Sequence, residues 1–368
     1  MRQKDNASKS HVVLIGTYTE PQGSDSEGVY VYRMDPSSGK LSYKTVIKDL
    51  PNVSFMSVHP RLGLIYAVNE TETFGGKSGG GISVLSINLP ASDFHVLYNQ
   101  SSGGENPCYI SLEHTGRFAF VANYKSGSIA MFPIGTDGRL SPASDVIQHV
   151  GASVHPERQT SPHPHCIIPD RENRYAIAVD LGLDKLLAYH MDLEAGKLHK
   201  HSEVQVKAGA GPRHLIFNSS GRCAYLINEL NSTIVLYQYS AETASFDELQ
   251  TVSTLPEGFS GENFSADLHL SLDEKCLYAS NRGHDSIVCF NVDTHTGQLT
   301  YQGHAPSGGH EPRIFALDPS GHFLIAVHQK SNNVVVFRID PITGNLTRTA
   351  YGAEISMPVH IMFGGNNL

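Results

Sequence analysis

Runs of five to eight residues in which β-branched or aromatic side chains alternate with small or polar ones recur along the whole chain. Clusters of Gly, Asn, Asp and Ser separate them, which is the pattern of short strands joined by tight turns. No stretch sustains the 3.6-residue apolar period of an amphipathic helix. One stretch illustrates the unit. Arg213 to Asn218 predicts a strand, Ser219-Ser220-Gly221 a turn, and Cys223 to Asn228 a second strand. Thr233 to Tyr239 then predicts a third.

The strands are organised as a repeat. A strand ending in Asn or a similar polar residue recurs at Asn69, Asn123, Asp180, Asn228, Asn281 and His328, with spacings of 54, 57, 48, 53 and 47 residues. Nine residues after five of these anchors stands an aromatic: Phe132, Tyr189, Tyr237, Phe290 and Phe337. Gly-x-Leu follows in most units, at Gly138, Gly196, Gly297 and Gly344. Repeats of this length that read as four strands are propeller blades. The two chain ends supply one more. Val12 to Tyr18, Val29 to Tyr32 and Gly39-Lys40-Leu41 give strands two, three and the start of four. Met357 to Phe363 parallels Gly211 to Phe217 and gives the missing innermost strand. Pairing the ends in one blade removes an exposed seam of unpaired strand edges. The expected fold is therefore all-β: one seven-bladed β-propeller domain over residues 1–368, with four-stranded antiparallel blades and a flexible leader at residues 1–10. Trp is absent, which removes the Trp-Asp signature of WD40 blades, and the Gly-Gly doublet of kelch blades is not repeated.

Composition narrows the function classes. Hydrophobic residues make up 40% and charged residues 17%, as in a core-forming chain. The net charge of −9 argues against nucleic acid or an anionic membrane as partner. No run approaches a membrane span or a signal-peptide core, so the expected compartment is the cytoplasm. Cys108, Cys166, Cys223, Cys276 and Cys289 stand singly, without CxxC, and are expected as buried free thiols. Gly76-Lys77-Ser78 imitates the end of a P-loop, but Thr71 stands where its first Gly belongs and no helix follows. Gly75 to Gly81 is expected to be a flexible loop. His163 and His165 have the spacing of half a metal site, yet no third and fourth ligand is evident, so no metal and no organic cofactor is expected.

The repeat allows equivalent positions to be compared around the ring. Fifteen residues before each anchor, opening the innermost strand near one channel mouth, stand Ser54, Cys108, His165, Arg213, Ala266 and Arg313, with Val359 in the closing blade. Directly after each anchor, at the same face, stand Glu70, Tyr124, Leu181, Glu229, Arg282 and Gln329. Positions that ought to be interchangeable thus carry one His, three Arg and two Glu. Such charges either tie blades together as ion pairs or build an anion-binding catalytic pocket. The residue types suit lactone hydrolysis. Arg matches carboxylate or phosphate oxygens with a fixed fork of donors. A second Arg stabilises an oxyanion as water adds. His exchanges protons near neutral pH, and a carboxylate serves as base or orients an Arg or His. His163, His269 and His284 are expected as pocket neighbours.

At these residues the chain resembles a known family. His163-Pro164-His165 with Asp180-Leu181-Gly182-Leu183-Asp184-Lys185, Gly211-Pro212-Arg213-His214 with Ile227-Asn228-Glu229-Leu230, and Tyr278 to Ile287 are similar to segments of the lactonase-type propellers. That family contains the bacterial propeller-type 6-phosphogluconolactonases and the fungal carboxy-cis,cis-muconate lactonising enzymes. Gly16-Thr17-Tyr18-Thr19 and Pro358-Val359-His360-Ile361 resemble its termini, so the likeness spans the chain. The resemblance implies His165, Arg213, Glu229 and Arg282 as catalytic residues, with base duty open between His165 and Glu229. The expected substrate-binding set is Arg313, Glu70, Tyr124, His163, His269 and Gln329. The implied activity is metal-independent hydrolysis of 6-phospho-D-glucono-1,5-lactone to 6-phosphogluconate. The alternatives are another sugar or muconate-type lactone, or a non-catalytic binding scaffold. The implied partner is a small anionic lactone; no obligate protein partner is evident. Lys185, where many relatives have Arg, and Cys166, where a small polar or aliphatic residue is usual, depart from the pattern.

Overall fold

The computed structural model describes residues 10–20, 23–88 and 93–364. Apart from Ser10, the expected leader lies outside the described residues. Seven four-stranded antiparallel sheets surround a channel, and among the described residues there is no helix. Blade four shows the plan, with strands Pro212–Phe217, Cys223–Asn228, Thr233–Ser240 and Ser245–Ser253 paired in chain order from the channel outward. The closing blade takes His11–Thr17, Gly28–Met34 and Leu41–Lys48 from the N-terminal end. Its innermost strand, Pro358–Phe363, comes from the other end of the chain. Leu14 pairs with Met362 and Ile15 with Ile361, so the ring closes by strand pairing as the repeat predicts.

The core lies between the blades rather than at the channel axis. Each of seven buried apolar clusters draws on two neighbouring blades; one joins Phe118, Phe120 and Met131 of blade two to Ala176, Leu187 and Tyr189 of blade three. The repeated aromatics Phe132, Tyr189, Tyr237, Phe290 and Phe337 are buried in these interfaces. The repeated Gly-x-Leu has a steric cause. Gly138 and Gly344 adopt φ of 82° and 73°, and a Cβ there would lie 2.1 Å from Leu64 Cδ1 and 2.3 Å from Cys276 Sγ of the preceding blade. Their carbonyls each accept a 2.7 Å hydrogen bond from a tyrosine of that blade, Tyr66 and Tyr278. A side chain at either glycine would separate the blades.

One expectation is corrected. Of the segment expected as a flexible loop, Gly75 to Gly81, the first four residues belong to a small hairpin in which Thr73–Phe74 pairs with Lys77–Ser78, and Gly81 opens the strand Gly81–Asn88. Gly75 and Gly76, at φ of 57° and 76°, make a two-residue turn with both central residues left-handed, which suits the twist of paired strands.

The candidate active site at the channel mouth

A β-bulge recurs at one place in every blade. Register is lost between Val53 and Phe55, Pro107 and Tyr109, Pro164 and Cys166, Pro212 and His214, Ser265 and Leu268, and Pro312 and Ile314. The closing blade skips Val359 in the same way. The residues left out of register are therefore the ring found in the sequence, Ser54, Cys108, His165, Arg213, Ala266 and Arg313, with Asp267 beside Ala266 in the wider bulge of blade five. A bulge frees a residue from the ladder and re-aims its side chain. The second ring is fixed by backbone hydrogen bonds at the start of each blade, for example Glu229 N–H to Gly211 O at 2.7 Å and Tyr124 N–H to Asn106 O at 3.0 Å.

Together the rings enclose a cavity of about 340 Å³ lined by Glu70, Cys108, Tyr124, Arg158, His165, Glu229, Phe264, Arg282 and Arg313. Glu229 is its electrostatic centre. Its Oε1 lies 2.6 Å from Arg158 Nη2, and its Oε2 lies 3.1 Å from Arg213 Nε and 2.9 Å from Arg282 Nη2. The last two distances are those of ion pairs, yet neither nitrogen makes a hydrogen bond, because their N–H bonds are not directed at the oxygen. Arg213 sits behind the cavity wall, 1% exposed, and also donates from Nη1 to the Ala266 carbonyl. Burial pushes the Glu229 carboxyl up, but Arg282, Arg213 and Arg158 outweigh it and hold the pKa at about 2. Glu229 is thus a permanent anion and a weak base.

His165 has the opposite character. Burial, then the charges of Arg213, His214 and Arg313, push its pKa well below the usual 6.5, so the imidazole is neutral at pH 7. Its Nδ1 is buried without a hydrogen-bond partner, and its ring meets Tyr124 and His214 edge-on. Across the cavity, Arg313 Nη2 lies 3.7 Å from Glu70 Oε2 and its guanidinium stands 5.6 Å from the Tyr18 ring centroid. Tyr18 donates to the same Glu70 oxygen at 2.9 Å. Burial, reinforced by Glu70, raises the Cys108 pKa well above its usual value, so this thiol is not poised as a nucleophile.

Four guanidiniums face two carboxylates here, an excess of two positive charges in a chain whose net charge is −9. Such a site concentrates an anion and aligns donors for an oxyanion.

The other expected neighbours sit elsewhere. His163 stacks on Tyr124 with centroids 4.5 Å apart and donates from Nδ1 to its carbonyl, so it backs the cavity wall without lining it. Gln329 is partly buried on blade six, outside the lining. His284 hydrogen-bonds Ser286 and packs on Phe259. His269 is three residues beyond the bulge on its strand, bonded to Asp267 at 2.9 Å, and opens on a different cavity. That cavity, about 480 Å³, lies where the innermost strands end and includes Arg171 and Glu274. It is larger but holds no comparable convergence of charge, so the mouth with Glu229 is the better candidate. Among the described residues no three His, Cys, Asp or Glu side chains gather as a metal cluster.

Three functional neighbours were not found from the sequence: Arg158, Phe264 and Tyr18. Arg158 belongs to no repeat position. It stands between Asp145–Gln148 and Pro164–Pro169, inside the longest anchor spacing, 57 residues, and that excess length was the available signal.

A family model described as "Lactonase, 7-bladed beta-propeller" matches residues 12–363. The 6-phosphogluconolactonase of Bacillus subtilis is 32% identical over 354 residues, covering 96% of this chain and 98% of that protein. The 6-phosphogluconolactonase of Formosa agariphila is 32% identical over 342 residues, 91% of this chain and 94% of its own. Among solved structures, the periplasmic gluconolactonase of Pseudomonas aeruginosa superposes with a TM-score of 0.90 at 34% identity. It covers 96% of this chain and 99% of its own.

Proposed function

The chain belongs to the lactonase family of seven-bladed β-propellers, and we propose that it hydrolyses 6-phospho-D-glucono-1,5-lactone to 6-phosphogluconate without a metal. The observation that carries this reading is the excess of positive charge around a small cavity that also holds a neutral histidine. A phosphorylated sugar lactone supplies the matching anion, and two relatives bear the name of that activity. The proposed place of the reaction is the oxidative pentose phosphate route in the cytoplasm, where sugar phosphates are kept.

In the proposed reaction Arg313 holds the phosphate, and Arg282 directs donors to the lactone carbonyl. His165 takes a proton from water as the water oxygen bonds to the carbonyl carbon. Charge grows on the carbonyl oxygen and is met by Arg282; a preformed donor of this kind contributes about 10²–10³ in rate. The ring C–O bond then breaks, the proton on His165 passes to the departing ring oxygen, and the new carboxyl group ionises. Both oxygens of Glu229 are engaged by guanidiniums, whereas His165 keeps a ring nitrogen without a partner, which favours His165 as the base. The role of Glu229 is to hold Arg213 and Arg282 at the mouth despite their mutual repulsion.

A second reading, hydrolysis of the unphosphorylated lactone, is favoured by the likeness to the Pseudomonas gluconolactonase. Initial rates of acid release with each lactone, corrected for spontaneous hydrolysis, separate the two. We expect the phosphorylated lactone to be preferred at least tenfold, with the full rate retained after treatment with a strong chelator. Preference for the neutral lactone supports the second reading. A rate lost to the chelator and restored by a divalent ion overturns metal independence.

A further inference from the structure

Of the three guanidiniums on Glu229, two are fixed by the fold and one is not. Arg213 and Arg282 come from strands and their side chains are 1% and 11% exposed, whereas Arg158 comes from a loop and is 33% exposed. The loop backbone is pinned. Gln159, fully buried, donates from its side chain to the Leu181 carbonyl at 2.8 Å, and Ser153 Oγ donates to Asp184 at 2.6 Å. Arg158 is therefore a long side chain on a stationary base. Its guanidinium runs through a slot of cavity-lining aromatics, 3.3 Å from the Tyr124 hydroxyl and 5.7 Å from the Phe264 centroid.

The two oxygens of Glu229 are used differently. Arg213 and Arg282 share Oε2, and Oε1 belongs to Arg158. If Arg158 turns away, Glu229 keeps two cations, so no buried charge is stranded and the heavy cost of breaking a buried pair is avoided. An arriving phosphate dianion offers Arg158 more charge and a bidentate match; a neutral sugar offers neither.

We propose that Arg158 is the specificity-determining residue of the pocket, exchanging Glu229 Oε1 for the phosphate of the substrate and closing on it from the mouth while Arg313 holds it from the wall. This rests on the lactonase reading. It deepens that reading by assigning the discrimination between phosphorylated and neutral lactones to one side chain.

The test compares full-length wild type, Arg158→Gln and Arg158→Lys with both lactones, and measures binding of inorganic phosphate by calorimetry. For Arg158→Gln, kcat/KM for the phosphorylated lactone should fall about ten- to hundredfold, mainly through KM, the effect of one charge-assisted hydrogen bond. The neutral lactone should lose less than threefold, and phosphate should bind at least fivefold more weakly. Arg158→Lys, which keeps the charge but not the fork, should lie between. An equal fall for both lactones overturns the proposal and leaves lactonase activity standing. If wild type hydrolyses neither lactone, the functional reading fails. The calorimetry then decides on its own: weaker phosphate binding in Arg158→Gln upholds the role of Arg158, and unchanged binding overturns it.

Discussion

Replacing Glu229 by Gln keeps its size and removes the anion that three guanidiniums share, and the consequence for stability depends on pH in a calculable way. The carboxyl has a folded pKa of about 2 against an ordinary 4.5. At 1.36 kcal/mol for each pKa unit, the difference corresponds to about 3 kcal/mol. That agrees with the ~3–5 kcal/mol expected for removing one partner of a buried ion pair. Because the folded pKa is depressed, the contribution is complete above pH ~4.5 and is lost as pH falls toward 2. Unfolding entropy of about 2.1 cal/mol/K per residue converts 3 kcal/mol to roughly 4 °C for a chain of this length. Scanning calorimetry of wild type and Glu229→Gln at pH 7 should therefore show a Tm gap near this value. The gap should narrow through pH 4 and 3, since Gln imitates the protonated acid. A gap below 1 °C at pH 7, or one that stays constant as pH falls, would refute the three-cation clamp.

The remaining predictions concern the base and the ring. His165→Asn should lower kcat about 10²–10⁴-fold with KM nearly unchanged, the range for loss of a general base. In wild type the acidic limb of kcat should lie at higher pH than that of kcat/KM. The bound anion offsets the Arg313 charge that helps to depress His165, and so favours the imidazolium. Deleting residues 357–368 removes the innermost strand Pro358–Phe363 of the closing blade and should abolish the cooperative monomeric fold. A monomer with an unchanged Tm after this deletion contradicts the closure.

The repeat made the fold legible because each blade states the same pattern again, and an error in one strand is corrected by six others. Comparing blades likewise brought out His165, Glu229 and Arg282, which line the cavity, and Arg213, which stands behind its wall, because polar side chains at positions of equivalent geometry break the repeat. What the sequence did not carry was the bulge. The loss of register at every ring position has no residue type of its own, as Ser54, Ala266 and Arg313 share it. His269 stands three residues beyond the bulge, near the far end of its strand, and so lines the other cavity. Arg158 was hidden for a different reason. It reaches Glu229 across 71 residues of sequence from a loop that repeats nowhere else, and no local pattern encodes that contact. The hairpin at Gly75-Gly76 has strands of only two residues each, too short to show an alternating pattern in the sequence, and its one signal is the glycine pair that a two-residue turn requires.

The central claim is that chemistry occurs at the mouth holding Glu229 and not at the opposite one. Measuring kcat/KM for the phosphorylated lactone in Arg282→Met, Arg313→Met and Arg171→Met tests it most directly, because Arg171 lines the cavity at the far ends of the innermost strands. The account predicts at least a tenfold fall for each of the first two and a change within about twofold for Arg171→Met, against the ~1.4 kcal/mol that a tenfold change represents. A loss confined to Arg171→Met, or all three variants within twofold of wild type, would contradict it.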